Sequence, residues 1–95
     1  DDLSLEQAVS LLVAAERFLL ERLKLMCVAA IVPKITEQNV VDTLLVAHAH
    51  NAAELRRICM DFIVANIVAV KRSPSFAALK SEPELLYEVL MMSTS

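Results

Sequence analysis

The chain of 95 residues contains no glycine, whereas average usage of about 7% would supply roughly six or seven. Glycine is the residue that most readily adopts the positive φ angles of tight hairpin turns and β-bulges. A fold made of many β-hairpins, or a glycine-rich loop that cradles phosphates, is therefore excluded. Helices joined by short corners need glycine least, so its absence favours a helical fold.

Basic and aromatic residues are too sparse to form a nucleic-acid surface. The chain carries 9 Lys and Arg against 12 Asp and Glu, for a net charge of −3, and aromatic residues make up 4%. Adjacent basic residues occur only as Arg56-Arg57 and Lys71-Arg72, whereas nucleic-acid binding needs a basic stripe. We therefore predict no nucleic-acid partner.

Long apolar runs are missing, although 57% of the residues are hydrophobic and the mean hydropathy is +0.55. The longest uninterrupted apolar stretch runs from Leu25 to Val32, whereas a membrane-spanning helix needs about 20 such residues. We predict no membrane association. Because a domain of this size buries only about 60–65% of its unfolded surface, the surplus apolar residues predict an exposed contact surface.

Cysteine is also scarce, with only Cys27 and Cys59 present and neither in a paired motif. Two cysteines do not make a disulfide framework, so we expect reduced thiols. The chain opens on Asp1-Asp2, without a signal-peptide pattern and without an initiator Met, which predicts a piece of a longer protein. A cytoplasmic or nuclear location is the corresponding expectation.

Helix-start signals recur along the chain. Ser4 to Gln7 and Ser81 to Glu84 have the spacing of a capping box, as does Asn51 to Glu54 in looser form. Thr36 is a further candidate cap, and Ser73 precedes a proline at a first helical position. Together with the apolar periodicity, these signals predict an all-α fold of about six helices, at residues 5–16, 19–32, 37–49, 52–66, 74–79 and 82–92.

Apolar residues follow helical spacing within these segments, as expected for faces that pack in a core. The two thiols fall on these faces, where cysteine behaves as an inert small hydrophobe. The predicted core positions are Ala8, Leu11, Leu12 and Ala15 in the first helix, Leu20, Leu23, Cys27 and Ile31 in the second, Val40, Leu44 and Ala47 in the third, and Leu55, Ile58, Cys59, Phe62 and Ile63 in the fourth.

Residues 8–32 and 41–64 look like two copies of one helical hairpin. The string Leu-Leu-Val-Ala at 11–14 recurs at 44–47, an offset of 33, whereas Cys27 recurs as Cys59 at an offset of 32. The two offsets predict a one-residue deletion between the copies. Stacked helix pairs bury apolar faces that neither pair buries alone, so we predict repeated antiparallel hairpins.

No set of residues points to catalysis or metal binding. His48 and His50 are two positions apart, which places them on different faces of a helix, and no four-ligand zinc set is present. Acid–base neighbours such as Glu16 and Arg17 are typical of a solvated surface. We therefore predict a protein that is not an enzyme and has no metal, cofactor or small-molecule substrate.

A second apolar stripe lies beside the core stripe of the third helix. It consists of Val41, Leu45 and His48, at the i, i+4, i+7 spacing by which a helix presents anchors to a partner. These three residues are the predicted partner-binding site.

Two adjacent stretches resemble the BTB (POZ) family. Residues 11–27, LLVAAERFLLERLKLMC, resemble the closing helices of a BTB domain, and residues 35–63, ITEQNVVDTLLVAHAHNAAELRRICMDFI, resemble the helix pair that follows it. That pair opens the BACK region and is called the three-box when short. The resemblance implies that residues 1–34 are the end of a BTB domain and residues 35–95 a partial BACK region.

The resemblance implies an adaptor role. BTB proteins with a three-box commonly bind the N-terminal part of cullin-3, and residues 36–66 would contribute to that contact in a ubiquitin ligase. The alternative is that these helices only support a BTB scaffold or a transcription regulator that binds no cullin. On the adaptor interpretation, Val41→Asp and Leu45→Asp weaken cullin-3 binding without loss of helicity, whereas Val40→Asp unfolds the domain. Self-association through the first two helices is a further expectation.

Overall fold

The computed structural model describes residues 3–93, which form six α-helices and two 3₁₀ helices. Residues 3–93 contain no strand, so the predicted all-α class is confirmed. Every helix in this range is too short or too polar to cross a bilayer. The α-helices are Leu5–Arg17 (α1), Glu21–Ile31 (α2), Val40–Ala49 (α3), Ala53–Ala65 (α4), Ile67–Arg72 (α5) and Pro83–Ser93 (α6), and the 3₁₀ helices are Val32–Lys34 and Pro74–Ser81.

Helix α1 begins with the predicted capping box. The backbone N–H of Gln7 donates to Ser4 Oγ at 3.1 Å, and the N–H of Ser4 donates to Gln7 Oε1 at 3.0 Å. Two amides that the helix itself leaves without acceptors are thereby satisfied. This cap fixes the start of α1 at one end of the groove described below.

A reciprocal pair of the same kind precedes α3. The N–H of Thr36 donates to Asn39 Oδ1 at 2.8 Å, and the N–H of Asn39 donates to Thr36 Oγ1 at 3.3 Å. Residues 37–39 form a turn, so the regular helix begins at Val40 and not at residue 37 as predicted. The Asn39 amide nitrogen also donates to the carbonyl oxygen of Lys34 at 3.0 Å, which ties this turn to the first 3₁₀ helix.

The other two predicted capping boxes do not form. Helix α4 has Ala52 at its N-cap, without a side-chain cap, and its amide at Glu54 donates instead to Glu16 Oε1 of α1 at 3.0 Å. At the start of α6, Ser81 Oγ donates backwards to the carbonyl oxygen of Ala78 at 2.8 Å. The dipole of a helix also favours a carboxylate at its N-terminus, so Glu16 of α1 stabilises the first turn of α4.

The C-terminal third differs most from the prediction. Helix α5, Ile67–Arg72, was not predicted, and it follows α4 after a break at Asn66. The helix predicted at 74–79 is the 3₁₀ helix Pro74–Ser81, whose predicted cap is confirmed because Ser73 Oγ accepts from the N–H of Ser75 at 3.4 Å.

The turns that close the two hairpins have the same backbone hydrogen bonds. In the first, Leu20 N–H donates to the Ala15 carbonyl at 2.9 Å, and in the second Ala52 N–H donates to the Ala47 carbonyl at 2.9 Å. Both are Schellman turns, with Leu19 at φ 56° and Asn51 at φ 54°. A left-handed conformation costs a residue with a Cβ roughly 1–2 kcal/mol, and asparagine tolerates it better than leucine.

The hairpins therefore align at a constant offset of 32. Each buried residue of α1 has a buried counterpart in α3 at this offset, and Cys27 and Cys59 correspond in α2 and α4. The predicted offset of 33 and the one-residue deletion between the copies are wrong. When the hairpins are aligned at an offset of 32, the two identical Leu-Leu-Val-Ala strings are displaced from each other by one residue, so they are not structurally equivalent. The matching pairs in α1 and α3 are Ala8 and Val40, Val9 and Val41, Leu12 and Leu44, and Ala15 and Ala47.

The core runs through both hairpins and into the C-terminal third. Helix α1 packs on α2 and α4, α3 packs on α4 and the second 3₁₀ helix, and α6 packs on α4 and that same 3₁₀ helix. Cys27 and Cys59 are both buried and unbridged, as predicted. Burial raises the pKa of the Cys27 thiol and raises the pKa of the Cys59 thiol to about 12, so neither is a reactive nucleophile at neutral pH.

Candidate partner-binding groove

The predicted contact stripe of α3 is largely covered by the chain itself. Val41 is 0% exposed, so the expectation that it lies on an outer face is wrong. Leu45 and His48, the other two members of the stripe, are half-buried. The three residues share one side of α3 as predicted, but that side is an internal one.

The second 3₁₀ helix and the start of α6 cover this side of α3. Ser75 Oγ donates to the carbonyl oxygen of Gln38 at 2.8 Å, just before α3, and His48 Nε2 lies 3.4 Å from Glu82 Oε1, just before α6. Both ends of α3 are thus held against the C-terminal third. Since the His48 and Glu82 side chains are 35% and 44% exposed, this contact is a weak surface pair.

The outward face of α3 is the one formed by Asp42, Val46 and Ala49. All three are exposed and lie at i, i+4, i+7, the same spacing as Val41, Leu45 and His48. Val46 is 38% exposed, against 0% for Val41. Any partner that reaches α3 in this conformation meets Val46 before it meets Val41.

Asp42 and Val46 of this face line a groove of about 490 Å³ between α1 and α3. The residues at its lining come from the first two turns of both helices and from the position just before α3. They are Leu5, Glu6, Val9 and Ser10 from the α1 side and Asn39, Asp42, Thr43 and Val46 from the α3 side.

The Thr43 and Asn39 side chains of the groove already have hydrogen-bond partners within the chain. Thr43, the buried polar residue of α3, donates through Oγ1 to the carbonyl oxygen of Asn39 at 2.9 Å. Asn39 itself is held by the turn that starts α3. The wall at this end is therefore preorganised, which reduces the ordering that binding requires.

The rim of the groove is acidic. Glu6 and Asp42 stand in the first turns of α1 and α3, where the helix dipoles favour a negative charge. Neither carboxylate belongs to an ion pair within residues 3–93, and no Lys or Arg lines the groove. Two uncompensated carboxylates beside apolar lining residues suit a segment that carries both an apolar side chain and a cation.

The groove carries no constellation for chemistry. Its lining contains no His, Cys, Lys or Arg, and residues 3–93 hold no group of three or more metal-ligand side chains.

Comparison with known proteins identifies the family. A sequence model of the BACK domain of the BPM/SPOP group matches residues 39–90, which are 52 of the 95 residues. The chain is 37% identical over 84 residues to the BTB/POZ and MATH domain-containing protein 4 of Arabidopsis thaliana, which covers 87% of this chain and 18% of that protein.

Two further relatives show the same relation. The BTB/POZ and MATH domain-containing protein 3 of Arabidopsis thaliana is 39% identical over 83 residues, covering 84% of this chain and 20% of its own length. The TD and POZ domain-containing protein 4 of Mus musculus is 33% identical over 82 residues, covering 85% and 22%. The chain spans about a fifth of the length of these relatives, and with its helical hairpins it belongs to the BPM/SPOP BACK-domain family as a BTB/BACK adaptor-type region.

Proposed function

We propose that the chain is the protein-interaction module of a BTB-type substrate adaptor for a cullin-3 ubiquitin ligase, and that the groove between α1 and α3 receives the N-terminal extension of the cullin. Residues 1–34 are the closing helices of a BTB domain in this proposal, and residues 35–95 are the three-box and partial BACK region. The observation that carries the proposal is the groove itself, because its two walls come from these two regions.

The groove suits an extended segment better than a compact ligand. Its apolar residues, Leu5, Val9 and Val46, line the same groove as the carboxylates of Glu6 and Asp42. A segment with an aliphatic side chain and a neighbouring Lys or Arg satisfies both features at once. Leu45 and His48, which are half-exposed at the edge of the second 3₁₀ helix, stay secondary candidates for the same contact.

An adaptor of this kind acts by tethering and performs no bond-making step. It holds a substrate near the ligase and so raises the effective concentration of the reacting groups. The burden on this chain is then affinity and geometry, which a preorganised groove on two capped helices provides.

The test is the substitution of Val46 by aspartate. We expect Val46→Asp to weaken binding of a synthetic cullin-3 N-terminal peptide by about tenfold or more, because burial of a valine contributes roughly 1–2 kcal/mol and an unpaired carboxylate would replace it. The measurement is a fluorescence-anisotropy titration with the labelled peptide.

Val64→Asp is the matched control for this experiment. Val64 is 36% exposed on α4, close to the 38% of Val46, and it does not line the groove. Its substitution should leave the affinity within about twofold. Equal affinity for Val46→Asp and the unmodified chain would contradict the groove proposal and favour the alternative, in which these helices support a BTB scaffold or transcription regulator without binding cullin.

An exposed apolar face on α2 supports the proposed BTB boundary. Leu25 and Met26 are 67% and 69% exposed, and Ala29 and Val32 continue the same face. Large apolar side chains at such exposure mark a contact surface. In the proposed full-length protein the rest of the BTB domain covers this face.

We expect the 95-residue chain alone to self-associate through the α2 face. Sedimentation velocity across a concentration series should show a dimer or higher species, because the apolar face can otherwise be covered only by a second copy. Leu25→Lys together with Met26→Lys should return the chain to monomer with unchanged helicity. A monomer at all concentrations in the unmodified chain would be the opposite result.

A further inference from the structure

The corner between α1 and α2 carries side chains that the turn does not require. The equivalent corner between α3 and α4 has the same hydrogen bonds and the same positive φ, with Asn51 where the first corner has Leu19. Asparagine adopts this conformation more readily than leucine. The second corner therefore shows that this type of turn forms with a polar residue at the left-handed position.

The three residues of the first corner are also exposed. Phe18 is 67%, Leu19 79% and Leu20 48% exposed, so they contribute little to the core. At the second corner His50 and Asn51 are polar and only a small residue, Ala52, is buried. An apolar corner on a left-handed leucine adds conformational cost without adding core packing, which points to a contact outside the chain.

Two arginines flank this corner without compensation. Arg17 and Arg22 are exposed, and neither makes an ion pair within residues 3–93. The arginines of α4 differ in this respect, because Arg56 pairs with Glu88 and Arg57 with Glu54 and Asp61.

The remaining acid of the corner is already engaged. Glu21 Oε2 lies 3.3 Å from Lys24 Nζ, so a further cation balances this acid and the corner keeps the positive charge of its two arginines. The corner thus combines one aromatic and two aliphatic side chains with a net positive charge. Aromatic residues and arginine are the types most enriched where protein partners bind tightly.

We propose that Arg17 to Arg22 form a docking site for an acidic amphipathic segment of a partner protein. Aliphatic side chains of the segment pack on Phe18 and Leu19, and its carboxylates pair with Arg17 and Arg22. The site differs from the groove in charge: the groove rim is acidic and selects a cationic segment, whereas the corner selects an anionic one. The two sites therefore take different segments, and this proposal does not depend on the groove.

The experiment uses a designed helical peptide with leucine along one face and glutamate elsewhere, titrated against the 95-residue chain by fluorescence anisotropy. A second peptide, with glutamine in place of glutamate, is its uncharged control, because a cationic peptide would suit the acidic groove. We expect Arg17→Glu combined with Arg22→Glu to weaken binding of the acidic peptide at least tenfold, and the glutamine peptide to bind the unmodified chain at least tenfold more weakly than the acidic one.

Leu19→Asn separates docking from folding. This substitution should weaken binding of the acidic peptide by about tenfold, because it removes an apolar anchor. It should raise Tm by roughly 4 °C, because asparagine adopts the left-handed conformation at less cost than leucine. Asn51→Leu, the mirror substitution in the other corner, should leave peptide affinity unchanged. A purely structural Leu19 would lower both Tm and helicity on substitution.

Three results would overturn the proposal: equal binding of the two peptides, unchanged affinity in Leu19→Asn, or a lowered Tm in Leu19→Asn. If Leu19→Asn altered the monomer–dimer equilibrium without altering peptide affinity, the corner would be a self-association surface and the proposal would likewise fail. Val46→Asp serves as a check of independence, since a groove variant should not change binding at the corner.

Discussion

Val41→Asp should unfold the chain. Val41 is 0% exposed in α3, and its counterpart in α1, Val9, is 7% exposed. Aspartate there removes apolar burial and places a carboxylate away from water without a partner, at a combined cost of about 4 kcal/mol or more. A domain of this size has only about 5–14 kcal/mol of total stability, so circular dichroism in urea should show a strongly lowered midpoint or no folded baseline.

The same substitution on the outward face of α3 is the control. Val46→Asp, five positions along, should shift the free energy of unfolding by about 1 kcal/mol or less, because its carboxylate reaches water. If Val41→Asp instead retained the helicity and urea midpoint of the unmodified chain, the side chain at position 41 would not be buried in solution. The original expectation of a Val41 contact face would then be restored.

The stability of the chain should fall steeply in alkaline solution because of Cys59. In the unfolded chain this thiol titrates near its ordinary pKa of 9.0, whereas burial raises the pKa in the folded chain to about 12. Between these values the unfolded state releases a proton that the folded state retains, so rising pH favours unfolding. The loss from this group reaches about 4 kcal/mol by pH 12 and is absent below pH 9.

Urea denaturation at pH 8, 9, 10 and 11 measures this slope. Cys59→Ala should have a lower stability at pH 8, because it leaves a small cavity, but should lose most of the additional decline above pH 9. The two proteins differ only at position 59, so the difference between the two curves isolates the thiol. Parallel curves for the unmodified chain and Cys59→Ala would contradict the assignment.

The periodicity of apolar residues was enough to place most helices and most of the core. Leu12, Leu44, Leu55, Cys27 and Cys59 are buried as predicted. Local capping chemistry also placed the start of α1. Such features depend on neighbours within one or two turns, which a single sequence displays directly.

The errors concern contacts between distant segments. Leu11 and Leu20 were predicted as core but are 38% and 48% exposed. Helical spacing indicates which side of a helix is apolar, but it does not indicate how far around the helix the buried surface extends. The side of α3 that holds Val41 is covered by residues about 35 positions later, and periodicity contains no information on which flank they choose. The α4 cap was missed for the same reason, because Glu16 supplies it from another hairpin.

The candidate groove could be anticipated only in part. The resemblance to the BTB family directed attention to α3, and this helix does line the groove. The contribution of Leu5, Glu6 and Val9 follows from the placement of α1 beside it, which no spacing in the sequence reveals. The 32-residue repeat is the one sequence feature that bears on this placement. It pairs Val9 with Val41, both buried, and Val46 is then the valine of α3 that remains for the outward face.

The hydrogen bond from the Glu54 amide to Glu16 couples amide exchange at the start of the second hairpin to the position of the first hairpin. When α1 swings away, the first turn of α4 loses its acceptor and its favourable negative charge together, so the second hairpin frays from the end nearest the first. Exchange at the start of α4 then reports the opening of α1 and not of α4 itself. A partner that holds α1 in place slows proton exchange on a helix that it never touches.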